Sequence, residues 1–192
     1  DYWKKEAISY TFEFITKVLK IPKEKLAVTC FGGDAREPLV AKDNESEKIW
    51  ISLGIPQKRI AFLEGGIYEN EYNWWGPSGL TGPCGPDTEI FYWSSSENVP
   101  KIFDPQDKRW IEIGNNVLMQ YNKNKEFEIA KQKNIDFGGG VERILSALLN
   151  QSDAYKTPHF FPVIKIIEKI SYKSYNGNEK SMRIIADHIR AS

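Results

Sequence analysis

Apolar side chains recur every three to four positions in several parts of the chain, which is the spacing of one face of a helix. The first such stretch covers residues 4–20 and ends before Pro22, which cannot continue a helix. A shorter helix is predicted from Asn44, whose side chain can cap it, to Leu53. The same spacing predicts three more helices, at residues 141–149, 160–172 and 179–191.

Strands are predicted where β-branched and aromatic residues predominate. These stretches are residues 26–31, 88–93, 109–121 and 126–130. Short, turn-rich segments separate the last three, which is typical of antiparallel strands. Residues 64–86 are rich in Gly, Pro and Asn, which predicts a long functional loop. The pattern as a whole predicts an α+β domain, with helices packed against a mostly antiparallel sheet.

The composition limits the classes of protein to consider. Lys plus Arg and Asp plus Glu number 26 each, so no net charge favours nucleic acid or an anionic membrane. Two cysteines, Cys30 and Cys84, are too few for a disulfide framework and indicate a reducing compartment. No apolar run approaches the ~20 residues that cross a bilayer. We therefore expect a soluble, cytoplasmic protein of one domain, and we expect the chain, which lacks an initiator Met, to be a piece of a longer one.

Residues 136–143 form a candidate binding site, because a predicted strand ends and a helix begins there. Backbone N–H groups and the helix dipole at such a junction favour negative charge. Gly138, Gly139 and Gly140 let a ligand approach the backbone, since no Cβ stands in the way. Arg143 opposes the helix dipole and is better explained as a fork for phosphate or carboxylate oxygens. A flexible connection with a solvated arginine explains these residues about equally well.

Two common phosphate motifs do not fit this junction. The dinucleotide fingerprint requires a further Gly where Glu142 and Arg143 stand. A P-loop requires Gly-Lys followed by Ser or Thr, and this triplet does not occur in the chain. Any nucleotide here is therefore held in a different way.

Four further stretches are informative when they are taken together. They are "TGPCGPDTEIFYW" (81–93), "IEIGNNVLMQYN" (111–122), "IDFGGGVERIL" (135–145) and "MRIIADHIRA" (182–191). In order and spacing they resemble the catalytic core of the alanyl-tRNA synthetase family. Residues 1–8, "DYWKKEAI", resemble the stretch after the second signature motif of these class II enzymes. Five collinear blocks over nearly the whole chain are a strong resemblance, whereas one block is weak.

The resemblance implies a class II aminoacyl-tRNA synthetase fold and its reaction. L-alanine would be activated by ATP with Mg²⁺ to alanyl-adenylate and then transferred to the 3′ end of tRNA(Ala). Residues 1–176 would be part of the adenylation domain, and residues 177–192 the start of the helical tRNA-recognition region. The arginine of the second motif, which holds the α-phosphate, would lie before Asp1. We therefore expect this chain by itself to be weakly active or inactive.

The resemblance also implies an alanine pocket. Asp136 falls on the family's acidic residue that binds the substrate amino group, and we expect it in a site that water does not reach. Gly138 corresponds to the glycine of close approach. Asn115 and Val117 would line the pocket together with a tryptophan at position 74 or 75. Val117 has an alternative role as a core residue. For the adjacent tryptophans, the alternative is that they only anchor the loop to the core.

ATP contacts are implied for a second set of residues: Arg143 for the tail phosphates, with Gly140, Glu89 and Glu112. Glu112 is also the candidate for Mg²⁺. On a regular strand it would face away from Asn115, so its role requires a bulge or a twist. The Gly-Pro-Cys-Gly-Pro segment would form a rigid turn beside the adenylate, with Cys84 as a structural residue and not a nucleophile. No residue is assigned to covalent or acid–base catalysis.

Two other functions remain open at this point. A synthetase-like module that lost catalysis would act by binding RNA or protein, but it would not need an ammonium-binding carboxylate beside a phosphate-binding arginine. A class II enzyme for a different amino acid is the other alternative. The Gly-Pro-Cys-Gly-Pro block favours alanine.

Overall fold

A computed structural model describes residues 2–191, which fold into two compact units. The first unit ends at Gly140 and the second begins at Val141. The first contains a six-stranded sheet and two α-helices, and the second contains three α-helices. The predicted α+β class and mostly antiparallel sheet are confirmed. Across residues 2–191, no helix has both the length and the apolar character that a bilayer crossing requires.

The sheet of the first unit is built from strands rich in β-branched and aromatic residues, which suit a pleated surface. In chain order the strands are β1 (Leu26–Phe31), β2 (Ile60–Leu63), β3 (Trp74–Trp75), β4 (Gly82–Trp93), β5 (Trp110–Lys123) and β6 (Phe127–Gly139). Their order is β2-β1-β4-β5-β6, with β3 paired to β4. β1 and β2 are parallel, and the other pairs are antiparallel. Every residue of β1 is buried.

Two helices of the first unit lie on one face of this sheet: α1 (Lys4–Glu13) and α2 (Asn44–Ser52). The Thr11 hydroxyl of α1 donates to Asn116 Oδ1 on β5 at 2.7 Å. The Trp50 indole of α2 donates to Thr88 Oγ1 on β4 at 2.9 Å. Because both acceptors are buried, these bonds fix the helices against the centre of the sheet.

The first helix and the start of the second differ slightly from the prediction. α1 continues as a π-helical turn, Phe14–Val18, so the predicted helix over 4–20 is largely confirmed. The cap of α2 is Asp43 and not Asn44, since the Asp43 carboxylate accepts from the Ser46 N–H at 3.1 Å. Asp43 also accepts from Lys4 at 2.7 Å, and this buried ion pair joins the two helices. Local sequence did not show that the Asp43 carboxylate both caps α2 and pairs with Lys4.

The second unit contains α3 (Val141–Leu148), α4 (Phe161–Ser171) and α5 (Glu179–Ala191), as the helical spacing predicted. Its core is formed by Phe160, Ile164, Ile167, Tyr175, Met182 and Ala186. Arg183 donates to the Tyr175 hydroxyl at 2.8 Å and to Asp153 at 2.9 Å, which ties α5 to the loops before and after α4. The functional boundary predicted at residues 176 and 177 lies within this unit and stays a prediction.

Three predictions for the sheet are wrong in detail. The Gly-Pro-Cys-Gly-Pro segment is not a turn, because β4 begins at Gly82 and includes it. β2 was not predicted, since a four-residue apolar run gives too little periodicity to identify a strand. β6 extends from the predicted 126–130 to Gly139, so the glycines of the candidate junction lie partly inside a strand. Pairing with β5, and with β3 for Gly85 and Pro86, stabilises these glycine- and proline-rich segments despite their low strand propensity.

Candidate active site

The two faces of the central strands carry different chemistry. Thr88 and Asn116 are directly opposite each other in the β4–β5 register, and both bond to the helices. Side chains alternate along a strand, so their neighbours Asp87 and Asn115 lie on the other face. This face, which we call the polar face, also carries Val117 and Glu89, which are opposite Asp87 and Asn115 in register.

Four residues predicted for alanine meet on the polar face where β5 pairs with β6. Asn115 is opposite Gly138, and Val117 is opposite Asp136. A Cβ on Gly138 would lie 2.5 Å from Asn115 Oδ1, so a larger residue would displace the Asn115 amide. The structure therefore brings together Asp136, Gly138, Asn115 and Val117, although their contact with alanine stays a prediction.

Asp136 differs from the expectation in one respect, because its side chain is exposed and not held away from water. It accepts a hydrogen bond from the Phe137 N–H at 2.8 Å. The reason is its position on β6, which lies at one end of the strand order and is exposed along most of its length. Val117, directly opposite on β5, is buried.

Glu112 lies on the polar face because β5 is irregular. Ile90 pairs with Gly114, but the next residue of β4, Phe91, pairs with Glu112. Ile113 is therefore an extra residue in β5, and this bulge turns Glu112 to the face of Asn115. The charge of Glu112 contributes to raising the pKa of Asp87, which supports their proximity. The bulge that the role of Glu112 required is present.

Sequence analysis missed a buried hydrogen-bond network behind these residues. Asp87 is 3% exposed and accepts from Asn115 Nδ2 at 2.8 Å and from Asn73 Nδ2 at 3.1 Å. Asn73 also donates to Thr29 Oγ1 at 2.8 Å, and Thr29 donates to Glu89 at 3.1 Å. Its members come from distant segments and have no motif in common. The available signal was an acidic residue two positions before the predicted Glu89.

Burial dominates the electrostatics of Asp87. Loss of water raises its pKa to about 6, although the hydrogen bonds from Asn115 and Asn73 act in the opposite direction. The nearby negative charge of Glu112 raises it further. Near neutral pH the network therefore holds an ionised carboxylate that two amides stabilise.

The two tryptophans separate into different roles. Trp74 is buried and its ring centroid lies 5.6 Å from that of Phe31 and 6.0 Å from that of Tyr121, so it belongs to the core. Its indole N–H donates to the Gly76 carbonyl at 2.9 Å. Trp75 is half-buried and pairs with Gly85 of β4. The role of Trp74 as a core anchor favours Trp75 for the pocket, which stays a prediction.

The residues predicted to hold ATP are divided between the two units. Glu89, Glu112 and Gly140 are in the first unit, and the Gly140 N–H donates to the Ile113 carbonyl at 3.3 Å. Arg143 is in the first turn of α3, in the second unit, as its position in the sequence predicted. The prediction that Arg143 and Asp136 face a common cavity stays a prediction.

Neither cysteine is suited to nucleophilic catalysis. Both are buried thiols, and desolvation raises the pKa of Cys84 to about 11 and that of Cys30 to about 12. A thiolate, which is the reactive form, is therefore scarce at neutral pH. Within residues 2–191, His, Cys, Asp and Glu side chains do not cluster in threes that would hold a metal ion.

The cavities beside β6 do not coincide with the four alanine candidates. The larger, about 970 Å³, is lined by the beginning of α1 and by residues 131–135. The smaller, about 310 Å³, is lined partly by Asp136 together with Thr11 and Asn116. Because Asn115 and Gly138 line neither, the polar face and not a closed cavity defines the candidate site.

Comparisons with known proteins identify the family of the chain. The family model of the class II (A) tRNA synthetases matches residues 1–192. The alanine–tRNA ligase of Treponema denticola is 46% identical over 201 residues, and that of Borrelia hermsii is 44% identical over 200 residues. Both matches cover 100% of this chain and 32% of the relative. The alanine–tRNA ligase of Fervidobacterium nodosum is 40% identical over 201 residues, with 22% of its length covered. The chain thus spans about a third or less of these curated relatives.

Proposed function

The chain belongs to the class II (A) tRNA synthetase family, and we propose that it is the adenylation part of an alanine–tRNA ligase. That enzyme would activate L-alanine with ATP and transfer it to the 3′ end of tRNA(Ala). The relatives named above are all alanine–tRNA ligases, which supports alanine over another amino acid. We further propose a cytoplasmic location, since both cysteines are buried thiols without a disulfide.

The observation that carries this proposal is the arrangement of Asn115, Val117, Asp136 and Gly138 on one face of two paired strands. Asp136 and the amide oxygen of Asn115 accept hydrogen bonds, which suits an ammonium group. Val117, whose side chain is buried, would supply an apolar contact for a methyl group. Gly138 lets the Asn115 amide lie close to the backbone, because an added Cβ would collide with Asn115 Oδ1.

In adenylation, a carboxylate oxygen of alanine attacks the α-phosphorus of ATP, a mixed anhydride forms, and the bond from the α-phosphorus to the bridging oxygen breaks, so that pyrophosphate leaves. Binding both reactants in a fixed orientation accounts for much of such catalysis. Asp136 would orient the amino acid through its ammonium group, and Arg143 would bind the tail phosphates as a planar fork. The exposed position of Asp136 means that bound substrate must complete its shielding from water.

Mg²⁺ fits this site as a companion of ATP and not as a resident ion. Mg²⁺ is commonly held by one or two carboxylates together with substrate phosphates, and it offsets the phosphate charge. Glu112 would supply such a carboxylate, with Glu89 on the same face. The effect of Glu112 on the pKa of Asp87 indicates concentrated negative charge, which a divalent cation would neutralise.

Alanine-dependent exchange of pyrophosphate into ATP tests the proposal in the full-length ligase. We expect Asp136→Ala to reduce kcat/KM for alanine by about 100-fold or more, equivalent to about 2.7 kcal/mol, because the ammonium loses its charged partner. Glu128→Ala, a similar change at an exposed residue of β6, is the matched control and should have little effect. Normal exchange by Asp136→Ala would contradict the assignment.

A second candidate function is a binding module without catalysis. It predicts that the full-length protein binds tRNA but shows no alanine-dependent exchange, and that Asp136→Ala changes nothing measurable. The retained set of Asp136, Gly138, Asn115 and Arg143 argues for the enzyme, since RNA binding alone does not require an ammonium site. Neutral net charge also argues against a dedicated RNA module.

A further inference from the structure

Asp87 is a buried carboxylate whose hydrogen-bond donors are the side-chain amides of Asn115 and Asn73. It lies directly opposite Val117, and its Oδ2 atom accepts from Asn115 across the strand pair. The ionised carboxylate can only accept hydrogen bonds. The nitrogen end of each amide must therefore turn toward Asp87.

For Asn115, this constraint determines which amide atom, oxygen or nitrogen, faces Gly138. With Nδ2 bonded to Asp87, Oδ1 lies toward Gly138, 2.5 Å from the place of a Cβ on that glycine. An amide rotated by half a turn would present an NH₂ group at the same place. The two arrangements have nearly the same shape but opposite hydrogen-bonding character.

We propose that Asp87 is a positioning residue, which fixes the rotation of the Asn115 amide so that its oxygen faces the alanine ammonium group beside Gly138. The inference rests on the proposed function and deepens it, since it assigns a residue that selects for the substrate amine. Asp136 is a diagonal neighbour of Asn115 on the polar face, so the two oxygens form an acceptor set. An NH₂ group at position 115 would instead be repelled by the ammonium.

Asn73 independently shows the same ordering effect. It donates to both Thr29 and Asp87, whereas its Oδ1 atom is buried without a hydrogen-bond partner among the described residues. A buried oxygen without a partner is costly. The amide nevertheless keeps its nitrogen toward Asp87, as expected if the carboxylate determines the orientation of its neighbours.

Steady-state exchange assays on the full-length ligase test this inference. At pH 7.5, KM for alanine, KM for ATP and kcat are measured for the wild type and for Asp87→Asn. We expect the substitution to raise KM for alanine about tenfold, with KM for ATP unchanged. Asp104→Asn, the same change in an exposed loop residue, should match the wild type.

A double-mutant cycle with Asn115→Ala identifies the route of the effect. If Asp87 acts through Asn115, Asp87→Asn should add little to the alanine KM of Asn115→Ala, whereas independent effects would multiply. Multiplicative effects, or parallel increases in both KM values with earlier thermal unfolding, would overturn the positioning role. If the wild type shows no alanine-dependent exchange, the proposed function fails; if it does and Asp87→Asn is normal, only this inference fails.

Discussion

The centre of the sheet and its β6 end hold polar groups in opposite ways. On β4 and β5, Asp87 is buried and its hydrogen bonds are made within the chain. On β6, Asp136 is exposed and accepts a hydrogen bond from the N–H of the next residue, Phe137. The centre is therefore ordered before any substrate arrives, while β6 offers a carboxylate that a substrate can engage. A site needs both properties, since rigidity gives orientation and exposure gives access.

Two glycines sharpen this comparison, and the larger effect is expected at the centre. A Cβ on Gly85 of β4 would overlap the Leu118 carbonyl oxygen and crowd the Met119 backbone of β5. Backbone atoms of paired strands cannot move aside without breaking the pairing. Gly85→Ala should therefore lower the free energy of unfolding by about 3 kcal/mol. Urea denaturation of the chain measures this, and an unchanged midpoint would show that β4 and β5 are less closely packed than described.

The pH dependence of stability reports the burial of Asp87 at the centre of the sheet. Because the folded-state pKa of Asp87 is raised to about 6, the folded chain binds its proton more tightly than the unfolded chain does. Stability associated with this residue is present below about pH 4 and is lost as the pH rises toward 6, by up to ~3 kcal/mol.

The measurement is the free energy of unfolding from pH 4 to 7 for the wild type and for Asp87→Asn. Relative to the variant, the wild type should become progressively less stable over this range. A wild-type curve parallel to that of Asp87→Asn would mean that Asp87 is not desolvated in solution.

The smallest effect on folding is expected at Gly138, in contrast to Gly85. A Cβ there meets the end of the Asn115 side chain and no backbone atom. Gly138→Ala should lower the free energy of unfolding by about 1–2 kcal/mol, less than Gly85→Ala does, because it disturbs the hydrogen bond from Asn115 to Asp87 but displaces no backbone. In the full-length ligase it should raise KM for alanine about tenfold or more, since the displaced amide would occupy the pocket. If Gly138→Ala lowered the free energy of unfolding as much as Gly85→Ala does, the expected difference between the centre of the sheet and β6 would be contradicted.

The sequence alone determined much of the fold. Helical spacing predicted α3, α4 and α5 to within two residues, because an amphipathic helix must place its apolar side chains on one side. The Gly-Pro-Cys-Gly-Pro segment was misread as a turn, since Gly and Pro disfavour strands unless neighbouring strands stabilise them. Local conformational preference therefore predicted an element correctly where most of its contacts are with residues close in sequence.

For the site, the sequence identified the residue types but not their environments. It predicted Asp136, Gly138, Asn115 and Val117 through collinear blocks, and strand pairing placed them on one face. It named Glu112 for the same site on condition of a bulge, but it could not predict the extra residue in β5 that turns Glu112 to this face.

What only the tertiary structure decided is which carboxylate loses its water. Asp87 and Asp136 are both aspartates on the same face of the sheet. Packing from Asn73 and Thr29, which are distant in sequence, buries Asp87. Asp136 lies instead on the exposed strand at one end of the sheet. Burial and register depend on contacts between segments far apart in the chain. A sequence carries that information only through the complete fold, and for this reason the chemistry of Asp87 emerged only from its surroundings.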